Sequence, residues 1–138
     1  MKKIVDVTWS DNMKFETVVD GHKIVVDAAK EVGGNDEGPR PKTFMMVALA
    51  GCTGMDVVSI LKKMKVDFTY FNLKIEADIR DDHPKKYEAM KVIYEFKGNN
   101  LEYDKLEKAV NLSVEKYCGV SANYRDAMQM SFEIKIIP

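Results

Sequence analysis

Residues 44–61 read Phe44-Met45-Met46-Val47-Ala48-Leu49-Ala50-Gly51-Cys52-Thr53-Gly54-Met55-Asp56-Val57-Val58-Ser59-Ile60-Leu61, apolar or small almost without interruption. That length is close to what a bilayer span requires. Asp56 lies inside the stretch, however, and a carboxylate is expensive in lipid. Lys62, Lys63 and Lys65 follow at once. The stretch therefore reads as a helix buried on nearly all sides in protein, with no membrane partner. In a chain this small a second subunit must help to cover it, which points to a homodimer. Pro41 is tolerated in a first helical turn, so the helix is expected from near Lys42 to about Lys65.

Upstream, Glu31 to Pro41 is rich in Gly, Asn, Asp, Glu, Pro and Arg, and its two prolines favour extended neighbours. It is a loop that delivers the chain to the helix. Before it, Lys2–Trp9, Lys14–Asp20 and His22–Asp27 read as three strands of a meander, with Asp20-Gly21 suited to a tight hairpin turn. Downstream, Phe68–Arg80 and Tyr87–Phe96 alternate with the period of strands, and Asp81-Asp82-His83-Pro84 turns one into the other. Asn99 or Asn100 can cap a second helix whose Leu106, Ala109, Val110, Val114 and Tyr117 share a face. Gly119 is placed to close that helix, and Met130–Ile137 reads as a last strand. The order βββαββαβ implies an α+β fold with a mainly antiparallel sheet, one domain over residues 1–138.

A chain of 138 residues suits one core. Lys plus Arg is 21 and Asp plus Glu is 22, and a net charge of -1 supplies no field for nucleic acid. An apolar fraction of 46% with 31% charged residues is that of an ordered globular protein. Asp6 interrupts the N-terminal apolar run, so no secretory leader is expected and the chain is placed in the cytoplasm. A lone cysteine pair there is more often catalytic, redox-sensing or simply buried than a structural disulfide. No Cys-x-x-Cys occurs and the histidines are His22 and His83 alone, so neither metal ligation nor a His-based triad is expected. Gly33-Gly34 lacks the spacing of a phosphate loop, and no cofactor is called for.

What remains is the two thiols, Cys52 in the long helix and Cys118 at the end of the second, with 65 residues between them. A free Cys in an apolar helix is by itself most often a small core hydrophobe. As a pair, the two suit peroxide chemistry: one thiolate becomes a sulfenic acid and the other condenses with it, releasing water. A thiolate needs a lowered pKa. Cys52 is about 15 Å from the start of its own helix, beyond reach of that dipole. A cation is required, and Arg40 is the first candidate because only Arg40, Arg80 and Arg125 occur. By the same distance it would serve the thiol of another subunit. Asp56, at i+4 from Cys52, would raise the thiol pKa and reads as structural.

The run from Gly38-Pro39-Arg40-Pro41-Lys42 through Ala50-Gly51-Cys52-Thr53-Gly54-Met55-Asp56-Val57-Val58 resembles the central motif of the OsmC/Ohr family, most of all its OsmC-like branch. Glu115-Lys116-Tyr117-Cys118-Gly119-Val120-Ser121 is similar to the family's second cysteine motif. The resemblance implies an intertwined homodimer with sites at its interface, and reduction of organic hydroperoxides in oxidative stress defence. It gives Cys52 the reactive role and Cys118 the resolving role, with an external thiol as reductant. The family's peroxidases carry a Glu ten residues before the reactive cysteine, where this chain has Lys42, and an Arg in the first hairpin region, where residues 1–39 have none. Lys14 is the nearest basic residue there, and Arg40 or Lys42 would have to stand in. A second expectation is a non-enzymatic OsmC-like protein that binds a small hydrophobic ligand at the dimer interface.

Overall fold

At the first hairpin Asp20 and Gly21 both take positive φ, 51° and 81°, the backbone that joins two antiparallel strands most tightly. The computed structural model describes residues 1–138 as two compact units, Met1–Met45 and Met46–Pro138.

In the first unit β1 (Thr8–Asp11), β2 (Lys14–Val19) and β3 (His22–Val26) form an antiparallel sheet in the order β1-β2-β3. The first strand is shorter than expected, since pairing with β2 begins only at Thr8↔Glu16 and its register shifts between Trp9 and Asp11. The loop after β3 is organised by one buried carboxylate. Asp27 is 2% exposed and accepts hydrogen bonds from the backbone N–H groups of Ala28 (2.7 Å), Glu37 (3.1 Å) and Asn35 (3.3 Å). Gly34 is required there, because a Cβ would sit 2.1 Å from the Ala28 carbonyl oxygen. The folded loop brings Glu37 within 3.1 Å of Lys14 Nζ. Pro41–Thr43 makes a single 3-10 turn, so the long helix begins two residues later than Pro41 suggests.

That helix, α1 (Phe44–Lys63), buries Leu49, Thr53, Val57 and Leu61, four apart down one stripe, with Gly54 beside them. Its other faces are open in the single chain: Val47 is 59% and Met55 77% exposed. In the second unit β4 (Tyr70–Ile79), β5 (Tyr87–Lys97) and β6 (Gln129–Ile136) form a sheet in the order β4-β5-β6. Tyr94, Phe96, Met90, Leu106 and Val110 fill its core, with Phe71 stacked on Phe96 at 4.4 Å between centroids.

Two features differ from the sequence expectation. The second sheet is mixed, because β6 pairs parallel to β5 along Ala89↔Gln129 to Phe96↔Ile136. Parallel pairing follows from the helical crossover that joins them. That crossover is also richer than one helix ending at Gly119. It consists of α2 (Tyr103–Leu112), a π turn (Ser113–Tyr117) and a third helix, α3 (Gly119–Ala127), that periodicity did not suggest. Cys118 is extended (φ -78°, ψ 101°), so it breaks one helix and caps the next. The inserted residue of the π turn also rotates the end of the apolar face, leaving Tyr117 54% exposed.

The Asp27 knot sets a testable expectation. The N–H of Glu37, followed by those of Ala28 and Asn35, holds its carboxyl below the usual range against the opposing effect of burial. Its stabilising contribution is complete above the ordinary carboxylate pKa and is lost as pH falls through the depressed one. Asp27→Asn should flatten the acid limb of the melting temperature below the ordinary carboxylate pKa. It should also speed amide exchange in residues 28–37; unchanged exchange there would refute the knot.

Candidate active site at the two cysteines

Cys52 is half-buried near the middle of α1, and Cys118 is 2% exposed at the N-cap of α3. Although far apart in sequence, the two free thiols are neighbours, near enough for Cys118 to act on the Cys52 thiol. The first turn of α3 serves both. The Ser121 N–H donates to Cys118 Sγ at 3.3 Å, and the Val120 N–H is near enough to lower the Cys52 thiol. Amides of a first helical turn lack intrahelical acceptors, so their dipoles favour charge on sulfur.

Other forces oppose them. Burial pushes the Cys52 thiol up, the Val120 N–H pulls it down, and Cys118 and the Asp56 carboxylate push it up again. The direction that prevails is upward. In the single chain Cys52 is thus held more firmly as a thiol than in water.

Behind Cys52 lies a closed set of polar groups. Thr53 is fully buried, and its Oγ1 lies 2.8 Å from Tyr94 Oη and 2.7 Å from Ser113 Oγ. Ser113, also fully buried, donates to Asp56 Oδ2 at 3.0 Å. Burial pushes the Tyr94 phenol up to about 12, eased by its bond to Thr53 and reinforced by the nearby Cys118 and Asp56. Tyr94 therefore stays a neutral phenol. Asp56 is structural as expected: it receives the Ser113 hydroxyl from the π turn.

Of the candidate cations, Arg40 is committed within its own loop. It is ion-paired to Asp36 and donates from Nη1 to the Gly38 carbonyl at 2.7 Å. Lys42 lies on the 3-10 turn Pro41–Thr43. Lys14 is paired with Glu37 at 3.1 Å. All three belong to the first unit and both cysteines to the second.

Sequence reasoning missed Thr53, Tyr94, Ser113, Val120 and Ser121. Ser113 was within reach of it, since it continues the apolar face of Leu106, Ala109 and Val110 by one more turn. The two amides were not, because α3 was not expected. Alongside α1 runs an open apolar groove of about 530 Å³ bordered by Ala50, Gly51, Gly54, Met55, Phe71 and Leu73. No cluster of three or more His, Cys, Asp or Glu side chains is arranged to hold a metal ion.

The profile of the family described as OsmC-like protein matches residues 33–133. The chain is 27% identical over 132 residues to Protein YhfA of Escherichia coli K12, covering 95% of this chain and 96% of that one. A crystal structure of a hypothetical protein from Aquifex aeolicus VF5 superposes with a TM-score of 0.82 at 29% identity, over 100% of this chain and 99% of that one. The organic hydroperoxide resistance protein OhrB of Bacillus subtilis shares the fold, with a TM-score of 0.63 at 16% identity, 96% of this chain and 98% of that one. With a family match that runs across both cysteine segments and relatives aligned nearly end to end, the chain belongs to the OsmC-like family.

Proposed function

We propose that this protein is a thiol-dependent hydroperoxide reductase in which Cys52 attacks the peroxide and Cys118 resolves it. The observation that carries the reading is the convergence of both cysteines on the first turn of α3, where Cys118 caps the helix and accepts the Ser121 N–H at 3.3 Å while Cys118 and the Val120 N–H both act on the Cys52 thiol. Cys52 thiolate attacks the distal oxygen of ROOH; the O–O bond breaks, sulfur loses two electrons, and the alkoxide leaves as ROH after taking a proton. The resulting Cys52 sulfenic acid condenses with the Cys118 thiol, forming the disulfide and releasing water. An external thiol returns both cysteines to the reduced state.

The exposed apolar faces of α1 are the surface a second copy covers, so the working form is a homodimer of single-domain chains acting in cytoplasmic peroxide defence. The cation that offsets the burial of Cys52 comes from the second copy, with Arg40 and Lys42 as its sources. Likeness to a hydroperoxide resistance protein supports the substrate class.

A second reading is a protein that holds a small hydrophobic ligand without turnover. Two observations favour it: the raised Cys52 thiol and the apolar groove along α1. Reaction of the reduced protein with an organic hydroperoxide separates the two, because a ligand carrier reacts no faster than a free thiol.

Cys52→Ser should abolish hydroperoxide consumption, and Cys118→Ser should leave a sulfenic acid that over-oxidises, both read by stopped-flow kinetics and mass spectrometry. Undiminished turnover in Cys52→Ser overturns the assignment. A further expectation concerns acidity. Asp56→Asn removes a carboxylate that disfavours the thiolate, so the pH profile of Cys52 alkylation by iodoacetamide should move to lower pH. A profile that stays in place would show that the Asp56 charge does not set the thiol.

A further inference from the structure

We propose that Ser113, held by Thr53 and Asp56, is a positioning residue that presents Cys118 to Cys52 for the disulfide-forming step; this rests on the thiol chemistry proposed above. Ser113 is joined to the site by both its side chain and its backbone. Its hydroxyl bonds Thr53 Oγ1 at 2.7 Å and Asp56 Oδ2 at 3.0 Å, so it is tied to the residue after Cys52 and to the residue one turn on. Its carbonyl accepts the Cys118 N–H at 2.7 Å. That bond spans five residues, the closure of a π turn rather than an α turn.

A π turn holds one residue more than the α-helix it interrupts, and such insertions persist where side-chain contacts hold them. Relaxation to α geometry would rotate everything after Ser113 by about 100° and shift it by about 1.5 Å along the axis. Cys118 would then leave the face that meets Cys52, and the N–H groups of Val120 and Ser121 would follow it. The Ser113 hydroxyl opposes this relaxation because its partners sit on α1, outside the crossover. Both Ser113 and Thr53 are fully buried, so water does not replace the lost partner. Asp56 thereby acquires a role that its place next to a thiol did not suggest: it anchors the resolving arm while disfavouring the thiolate.

The test separates oxidation of Cys52 from condensation with Cys118. Reduced protein is treated in one arm with cumene hydroperoxide and in the other with diamide. Cys52 sulfenic acid is trapped with dimedone and the Cys52–Cys118 disulfide is counted by mass spectrometry after alkylation. In Ser113→Ala and Thr53→Val, disulfide formation should slow about 100-fold, the loss that a misplacement near 1 Å produces. Sulfenic and then sulfinic acid should accumulate on Cys52 in the peroxide arm. Thr53→Ser, which keeps the hydroxyl, should restore the disulfide rate. Leu61→Ala, a fully buried site on α1 outside this polar set, matches the loss of stability without touching Ser113 and should leave that rate unchanged. A wild-type disulfide rate in Ser113→Ala, or equal slowing in Leu61→Ala, overturns the proposal. If Ser113→Ala does not fold, Thr53→Val carries the same comparison. If hydroperoxide leaves wild-type Cys52 reduced, the peroxidase reading fails, while the diamide arm still decides whether Ser113 presents Cys118.

Discussion

The hydroxyl of Thr53 is where the second unit is pinned together. It sits on α1, bonds Tyr94 on β5 and meets Ser113 on the crossover, so three elements share one buried oxygen. An apolar helix on an apolar sheet has many nearly equivalent positions, because dispersion and burial are indifferent to small slides. A satisfied polar group in that surface is not indifferent: leaving one partner unmet costs about 1–3 kcal/mol. Gly54, next in sequence, lets the helix come close, since a Cβ there would lie 3.1 Å from Leu73 Cδ1. Cys52 precedes this pair and inherits its placement.

The thiols are governed by a contest between a short-range and a diffuse effect. At Cys52 the Val120 amide acts only on the atom it reaches. Burial acts on the whole charge, and it prevails at Cys52. A second subunit would exclude more water from α1, strengthening both the burial penalty and any charge it brought with it. The proposed chemistry depends on which of those two grows faster.

Much of this was legible in the chain. The first hairpin follows from Asp20-Gly21, β4 and β5 from alternation, and the long helix from an apolar run interrupted only by Asp56 and small or polar residues. Cys52 and Cys118 stood out as the chain's two thiols, and the resemblance to the OsmC/Ohr family gave each its expected role. Two of the features that stayed hidden rest on local backbone geometry that leaves little trace in composition. Cys118 looked like the end of a helix because Gly119 follows it, yet its own extended conformation makes Gly119 a beginning. Helix periodicity assumes 3.6 residues per turn, and a π insertion at Ser113 violates that without a compositional trace. The parallel partner of β5 was equally invisible, since alternation along β6 is the same whichever way it runs.

That parallel strand has a consequence for how the protein is made. Because β6 runs with β5, the 98–128 segment carrying Cys118 is a closed bridge whose far abutment is the final strand of the chain. On a ribosome Cys52 emerges first, and its helix can form while the opposing thiol is still unsynthesised. Contact between the sulfurs needs the crossover in place, and the pairing of the eight-residue β6 with β5 closes it. A chain without β6 would carry both thiols on a crossover anchored to the sheet at one end only.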